Sequence, residues 1–219
     1  MIKTILFFIY LAAIVFSAVM AIICHRSIRR RNMSVMVPYL SLVSLMEIFV
    51  YISHAQKWGV NATFIYNIYK IITVLAFAFL YYRIPFMNAS RKLIAVLTAC
   101  YLLAAIFSYT FWISIFALDT YLTLFRGFVI TFFAVLFLHR FFYLDDGAEE
   151  KFWRPVVWVT TGVAAFYPVI SITASFSLYL FQHDATLFGL KLYQTIPQVM
   201  SIFMYSCFSY AFYLCRKKN

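Results

Sequence analysis

An all-α bundle of seven transmembrane helices, N-terminus outside and C-terminus cytoplasmic, is the fold the sequence predicts. Three observations carry it. The 219 residues are 65% hydrophobic and 21% aromatic with only 11% charged, against about 45–50% apolar and about 25% charged in soluble domains. The apolar residues gather into seven runs, each able to cross about 30 Å of hydrocarbon with about 20 residues. The basic residues fall in short clusters on alternate sides of those runs, as membrane topology requires.

The spans are read at roughly 4–24, 36–54, 62–82, 92–112, 120–142, 155–180 and 189–214, within one domain covering 1–219. The first run resembles a signal peptide only superficially. It lacks a small-x-small cleavage site, is too long for a signal h-region and is followed at once by HRSIRRR, so it is expected to stay as a helix. Pro38 and Pro155 are placed near the starts of the second and sixth spans, where a missing N–H is harmless. Pro168 and Pro197 are placed inside spans, where proline kinks a helix and frees a carbonyl.

The link after span 1 carries Arg26, Arg29, Arg30 and Arg31, and the link after span 3 carries Arg83, Arg91 and Lys92. Arg140, Lys151 and Arg154 follow span 5, and Arg216, Lys217 and Lys218 end the chain. The other side holds only Lys3, Lys57 and Lys191. Positive charge stays in the cytoplasm, which sets the predicted orientation. The net charge of +11 therefore reports topology, and no stripe or arm of basic residues points to nucleic acid.

At about 100° per residue, polar side chains line one face of five spans. Ser44, Glu47, Tyr51 and His54 share an arc of span 2, and Thr63, Tyr66, Lys70 and Thr73 an arc of span 3. Asp119, Thr123 and Arg126 share a face of span 5; Thr160, Tyr167, Ser171, Ser175 and Gln182 line span 6. Span 7 contributes Lys191, Gln194, Gln198, Ser201 and Tyr205, while spans 1 and 4 carry no such stripe. Hydroxyls and amides of this kind commonly tie membrane helices together. Charges are different, because each costs several kcal/mol at mid-membrane unless paired or hydrated.

Glu47, Lys70 and Arg126 all fall at a similar depth, roughly 10–13 Å inside the outer surface at about 1.5 Å per residue. One carboxylate cannot neutralise two cations, so either Asp119 joins the group or a polar pocket of net positive character holds it. Such a pocket suits a small anionic or zwitterionic solute. Its predicted ligand-binding residues are Glu47, Lys70, Arg126, Tyr51, Tyr66, Tyr167, Gln194 and Gln198. The competing reading is a structural Glu47–Lys70 ion pair with Arg126 snorkelling outward.

Little else in the chain carries chemistry. The cysteines Cys24, Cys100, Cys207 and Cys215 are scattered, without zinc spacing, and structural disulfides are not expected in a reducing compartment. DDGAEE, Asp145 to Glu150, reads as a solvated turn. No HExxH, GxSxG, Walker or Rossmann fingerprint is present. No enzyme, metal or cofactor is expected.

Tyr66-Asn67-Ile68-Tyr69 opening span 3, Tyr81-Tyr82-Arg83 closing it and Phe152-Trp153-Arg154-Pro155 leading into span 6 resemble small uncharacterised seven-helix membrane proteins of bacteria. That resemblance implies a bacterial inner membrane and a sensory role; related helical bundles serve as sensory input modules. Two functions are therefore expected from the sequence. One is binding and translocation of a small solute through the polar pocket. The other is a receptor-like sensory subunit that signals through a partner protein. The lipid bilayer is the expected environment, with a homo-oligomer or signalling partner compatible with either role.

Overall fold

The computed structural model describes residues 2–143, 147–183, 186–187 and 190–216. Asp145, Asp146, Lys217 and Lys218 lie outside the described residues. The helices are α1 (Ile2–Ile23), α2 (His25–Arg30), α3 (Met36–Ala55), α4 (Ala62–Tyr82), α5 (Arg91–Phe107), α6 (Thr120–Phe142), α7 (Gly147–Ser175), α8 (Ser177–Gln182) and α9 (Leu192–Arg216). A 3-10 turn (Pro85–Ser90) leads into α5 and a π turn (Ser108–Trp112) closes it. A two-residue antiparallel ladder pairs Thr186–Leu187 with Leu190–Lys191. Seven helices are long and apolar enough to cross a membrane: α1, α3, α4, α5 with its flanking turns, α6, α7 and α9.

Backbone groups in hydrocarbon must bond within their own segment, which is why apolar runs of this length become helices. Most short hydroxyls obey the same rule. Ser41, Ser53, Thr73, Thr98, Thr161, Thr173 and Ser209 each donate to the carbonyl four residues earlier, so they need no partner on another helix. Asn61 caps α4 by accepting from the Thr63 and Phe64 amides at 2.9 and 3.4 Å. Asp119 caps α6 by accepting from Leu122 N at 2.8 Å.

In packing, α1 joins α3 to α9; α9 lies on α7, α7 on α6, and α4 closes the bundle against α3 and α6 with α5 on its flank. Two glycines permit the closest approaches. A Cβ at Gly162 of α7 would stand 3.0 Å from Cys207 Cβ and 3.2 Å from the Met204 carbonyl of α9. One at Gly127 of α6 would collide with the Ser171 hydroxyl of α7.

The sixth span differs from expectation at both ends. The helix begins at Gly147, so Pro155 lies inside it, and it breaks at Phe176, leaving Gln182 on the separate α8. Its start is held from outside the apolar run: Arg31 Nη1 donates to the Phe152 carbonyl at 2.7 Å, and buried Trp153 packs edge-on against Phe86 at 5.6 Å.

The end of the bundle carrying residues 56–61 and 113–119 is called upper; the end carrying residues 31–35 and 83–90 is lower. The lower half of the core is an aromatic plug. Tyr81 packs on Phe137 at 5.7 Å, and Phe137 on Phe86 at 5.4 Å. Within the plug Tyr81 donates across to Thr160 at 3.2 Å. Half-buried Glu47 and the buried Lys70, Asp119 and Arg126 lie in the upper half.

Candidate functional site

The upper seam has a carboxylate end, a tyrosine bridge and a cationic end. At the first, Glu47 of α3 accepts from the Tyr66 hydroxyl of α4 at 3.3 Å, and Tyr10 of α1 reaches the same carboxylate. Between the ends, Tyr39 and Tyr69 share a hydrogen bond at 3.0 Å with rings 6.4 Å apart. Phe77 stacks edge-on against Tyr39 at 5.5 Å and Tyr167 at 5.9 Å, forming the floor.

At the cationic end, Lys70 Nζ donates to Asn67 Oδ1 and to the Asp119 carbonyl, both at 2.9 Å. Asn67 Nδ2 in turn donates to the carbonyls of Ile115 and Ala117 at 2.7 and 2.9 Å. The 113–119 loop is thus latched to α4 by an amide and an ammonium, and Phe64 stacks on Phe116 at 5.2 Å above them. The fully buried Asp119 carboxylate also accepts from Ser108 of the π turn. Lys70 feels Asp119 attractively and Arg126 repulsively.

Arg126 is the outlier. It is 8% exposed, and its guanidinium lies 5.9 Å from the Tyr69 ring and 5.7 Å from the Tyr167 ring. Its Nε has no hydrogen-bond partner among the described residues, nor do the buried hydroxyls of Tyr101, Tyr109 and Ser171; the Tyr167 hydroxyl lies near that of Tyr39 but outside hydrogen-bond geometry. Tyr101, Tyr109 and Tyr167 all feel the Arg126 charge, and Ser171 touches Gly127, the next residue along α6. Buried polar atoms are nearly always paired, so a knot of donors around one cation marks a place built to meet acceptors.

Of the predicted site residues, the structure brings Glu47 together with Tyr66, and Arg126 with Tyr167. Lys70 sits beside Arg126 but takes other partners than Glu47, and the Glu47–Lys70 ion pair of the competing reading is not formed. Tyr51 stands apart, 40% exposed and stacked on Phe7 of α1 at 5.3 Å. Gln194 bonds its neighbour Tyr193 at 3.2 Å, and Gln198 is half-buried one turn lower on α9. Sequence reasoning passed over Tyr10, Asn67, Tyr39 and Tyr69. The signal for Asn67 was present, an amide one turn before a buried lysine.

Three cavities open at the upper end: one of about 440 Å³ at α5, the π turn and α6, walled mainly by apolar side chains such as Phe107, Trp112 and Phe125, and two that each stop one helical turn, about 5.4 Å, above the seam. Of these two, the one between α3 and α4, of about 440 Å³, is lined by Val50 and Ala62, one turn from Glu47 and Tyr66, with His54 and Lys57 at its rim. The other, of about 200 Å³ between α6, α7 and α9, is lined by Thr123, Ile170 and Ala174, one turn from Arg126, Tyr167 and Ser171.

Among the described residues no group of three or more His, Cys, Asp or Glu is placed to hold a metal. The four cysteines are free thiols; burial pushes the Cys24 thiol up, against the opposing pull of Arg216, which disfavours a reactive thiolate. No protein-family profile, curated protein or solved structure matches the chain. Its class is defined by its own architecture: an all-α, multi-pass helical membrane protein of seven spans.

Proposed function

We propose that this protein binds a small anionic or zwitterionic solute at the cationic end of the seam and carries it across the membrane. The observation that carries the reading is Arg126: a buried guanidinium whose described contacts are two tyrosine faces, ringed by unpaired hydroxyl donors. An arginine at mid-membrane is expensive, and a ligand oxyanion would supply both the charge and the acceptors it lacks. Arg126 and Lys70 would hold the anionic group, with the unpaired hydroxyls of Tyr167 and Ser171 orienting it. Glu47, at the far end of the tyrosine bridge, would meet an ammonium group where the solute has one. A polar seam one helical turn below the upper cavities and above an aromatic plug fits a carrier with its site closed to both faces, and the prolines inside α7 and α9 supply hinges beside the site.

Reconstituted proteoliposomes test this. Uptake of the transported solute, found from a panel of small carboxylates, oxyanions and amino acids, falls at least about tenfold in Arg126→Gln, as expected for lost charge-assisted bonds. It falls less in Glu47→Gln for a simple anion than for a zwitterion. No uptake of any solute by folded protein would contradict translocation; ligand-dependent capture of a partner without flux would assign the site to a receptor.

A further inference from the structure

We propose that the small cavity between α6, α7 and α9 is the access site through which an anion, a carboxylate or oxyanion, reaches Arg126. This rests on the anion-binding reading above and adds the route. Thr123, Ile170 and Ala174 line the cavity and stand three residues from Arg126, Tyr167 and Ser171 on the same helices. The group of unpaired donors therefore lies one turn below it.

Three of the five hydroxyls of its wall are already committed; the other two belong to Thr120 and Tyr193, at the upper ends of α6 and α9. Thr123 donates to the Asp119 carbonyl at 2.7 Å, Thr173 to Val169 at 2.8 Å and Ser177 to Ala174 at 2.8 Å. The three committed hydroxyls make the wall polar enough to pass an anion and keep no proton free to hold it. The donors around Arg126 lie one turn deeper, beside a full positive charge, so the anion moves toward Arg126 rather than lodging above it. Pro197 of α9 forms part of the same wall, and proline leaves the Tyr193 carbonyl without its helical N–H, so this side of the opening is the one able to flex.

The cavity at α5 and α6 is walled mainly by apolar side chains, and the one between α3 and α4 is the wrong entrance for this charge. Lys57 and His54 would draw an anion to its rim, but one turn below lies the Glu47 carboxylate with its Tyr66 bond. In a low-dielectric interior that negative group repels an anion far more than it would in water.

Thiol labelling tests the route without needing transport. In protein with its four cysteines replaced by alanine, Ala174→Cys, Thr123→Cys and Val50→Cys are reconstituted in neutral phosphatidylcholine vesicles. A sulfonate-bearing and an ammonium-bearing methanethiosulfonate are then compared. The sulfonate reagent is expected to react at Ala174→Cys and Thr123→Cys about tenfold faster, relative to the ammonium reagent, than at Val50→Cys. Adding Arg126→Gln should abolish that preference. Millimolar acetate or phosphate should slow the labelling. No charge preference at either upper-cavity position, or a stronger anion preference at Val50→Cys, overturns the proposal. Protection by phosphatidylglycerol in the vesicle but not by free anions would also overturn it, since the cavity would then serve a lipid headgroup. If uptake fails but the charge preference holds, the translocation reading falls and the anion route stands.

Discussion

Replacing Arg126 with Met separates a ligand-binding arginine from a structural one. Placing an arginine at the centre of a membrane helix costs about 2.5–3.5 kcal/mol on insertion scales. Its two tyrosine faces, at 5.9 and 5.7 Å, return about 0.5–2 kcal/mol each. The side chain has no hydrogen bond to lose at Nε. These terms nearly cancel, so Arg126→Met should leave unfolding stability within about 2 kcal/mol of wild type, with a gain more natural than a loss. Anion binding behaves oppositely. A ligand at about 100 times its Kd stabilises the folded protein by about 2.7 kcal/mol, and that increment should vanish in the variant. Thermal unfolding in detergent, with and without the best anion of the uptake panel, reads both quantities from one preparation. A loss above about 3 kcal/mol in the absence of ligand would refute the reasoning, because it is the signature of a broken buried pair.

Other perturbations follow from the same geometry. Asn67→Leu removes two bonds of 2.7 and 2.9 Å to the 113–119 loop and leaves two carbonyls bare; protease cleavage within residues 113–119 should accelerate, at a cost of about 1–3 kcal/mol. Gly162→Ala drives a methyl against the Met204 backbone at 3.2 Å and should destabilise by about 1–3 kcal/mol. Combining it with Cys207→Ala should not rescue the loss, because a backbone cannot rotate aside. Tyr81→Phe deletes the 3.2 Å bond to Thr160 in the aromatic plug and should cost about 1 kcal/mol in thermal unfolding without altering anion binding. Reporter fusions should place both the C-terminus and the arginine-rich 26–31 link in the cytoplasm; a C-terminus on the opposite side of the membrane would overturn the charge-based topology.

The seven spans were legible because length and hydropathy are properties of each run alone. The ends of the sixth were not. KFWR before Pro155 looks like a polar link, and only Arg31 and Phe86, more than sixty residues away, show why it is helical. In the site, the similar depths of Glu47, Lys70 and Arg126 were readable from residue counting, but their pairing was not. Counting places a side chain on a face without saying which neighbouring helix that face meets. Tyr51 shares an arc with Glu47 yet meets Phe7, and Glu47 meets Tyr10 on a helix whose composition gave no hint of a polar face. The orphaned donors around Arg126 were beyond sequence reading altogether, since a hydroxyl's satisfaction depends on whether it bonds its own helix.

The central claim is that an anion sits among Arg126, Tyr167 and Ser171. Anomalous scattering from crystals soaked in bromide or selenate tests it most directly. The account predicts a peak within hydrogen-bonding distance of the Arg126 guanidinium and those two hydroxyls, absent in Arg126→Gln. Clear density for the side chains with no anion peak between them, in soaked wild-type crystals, would contradict it.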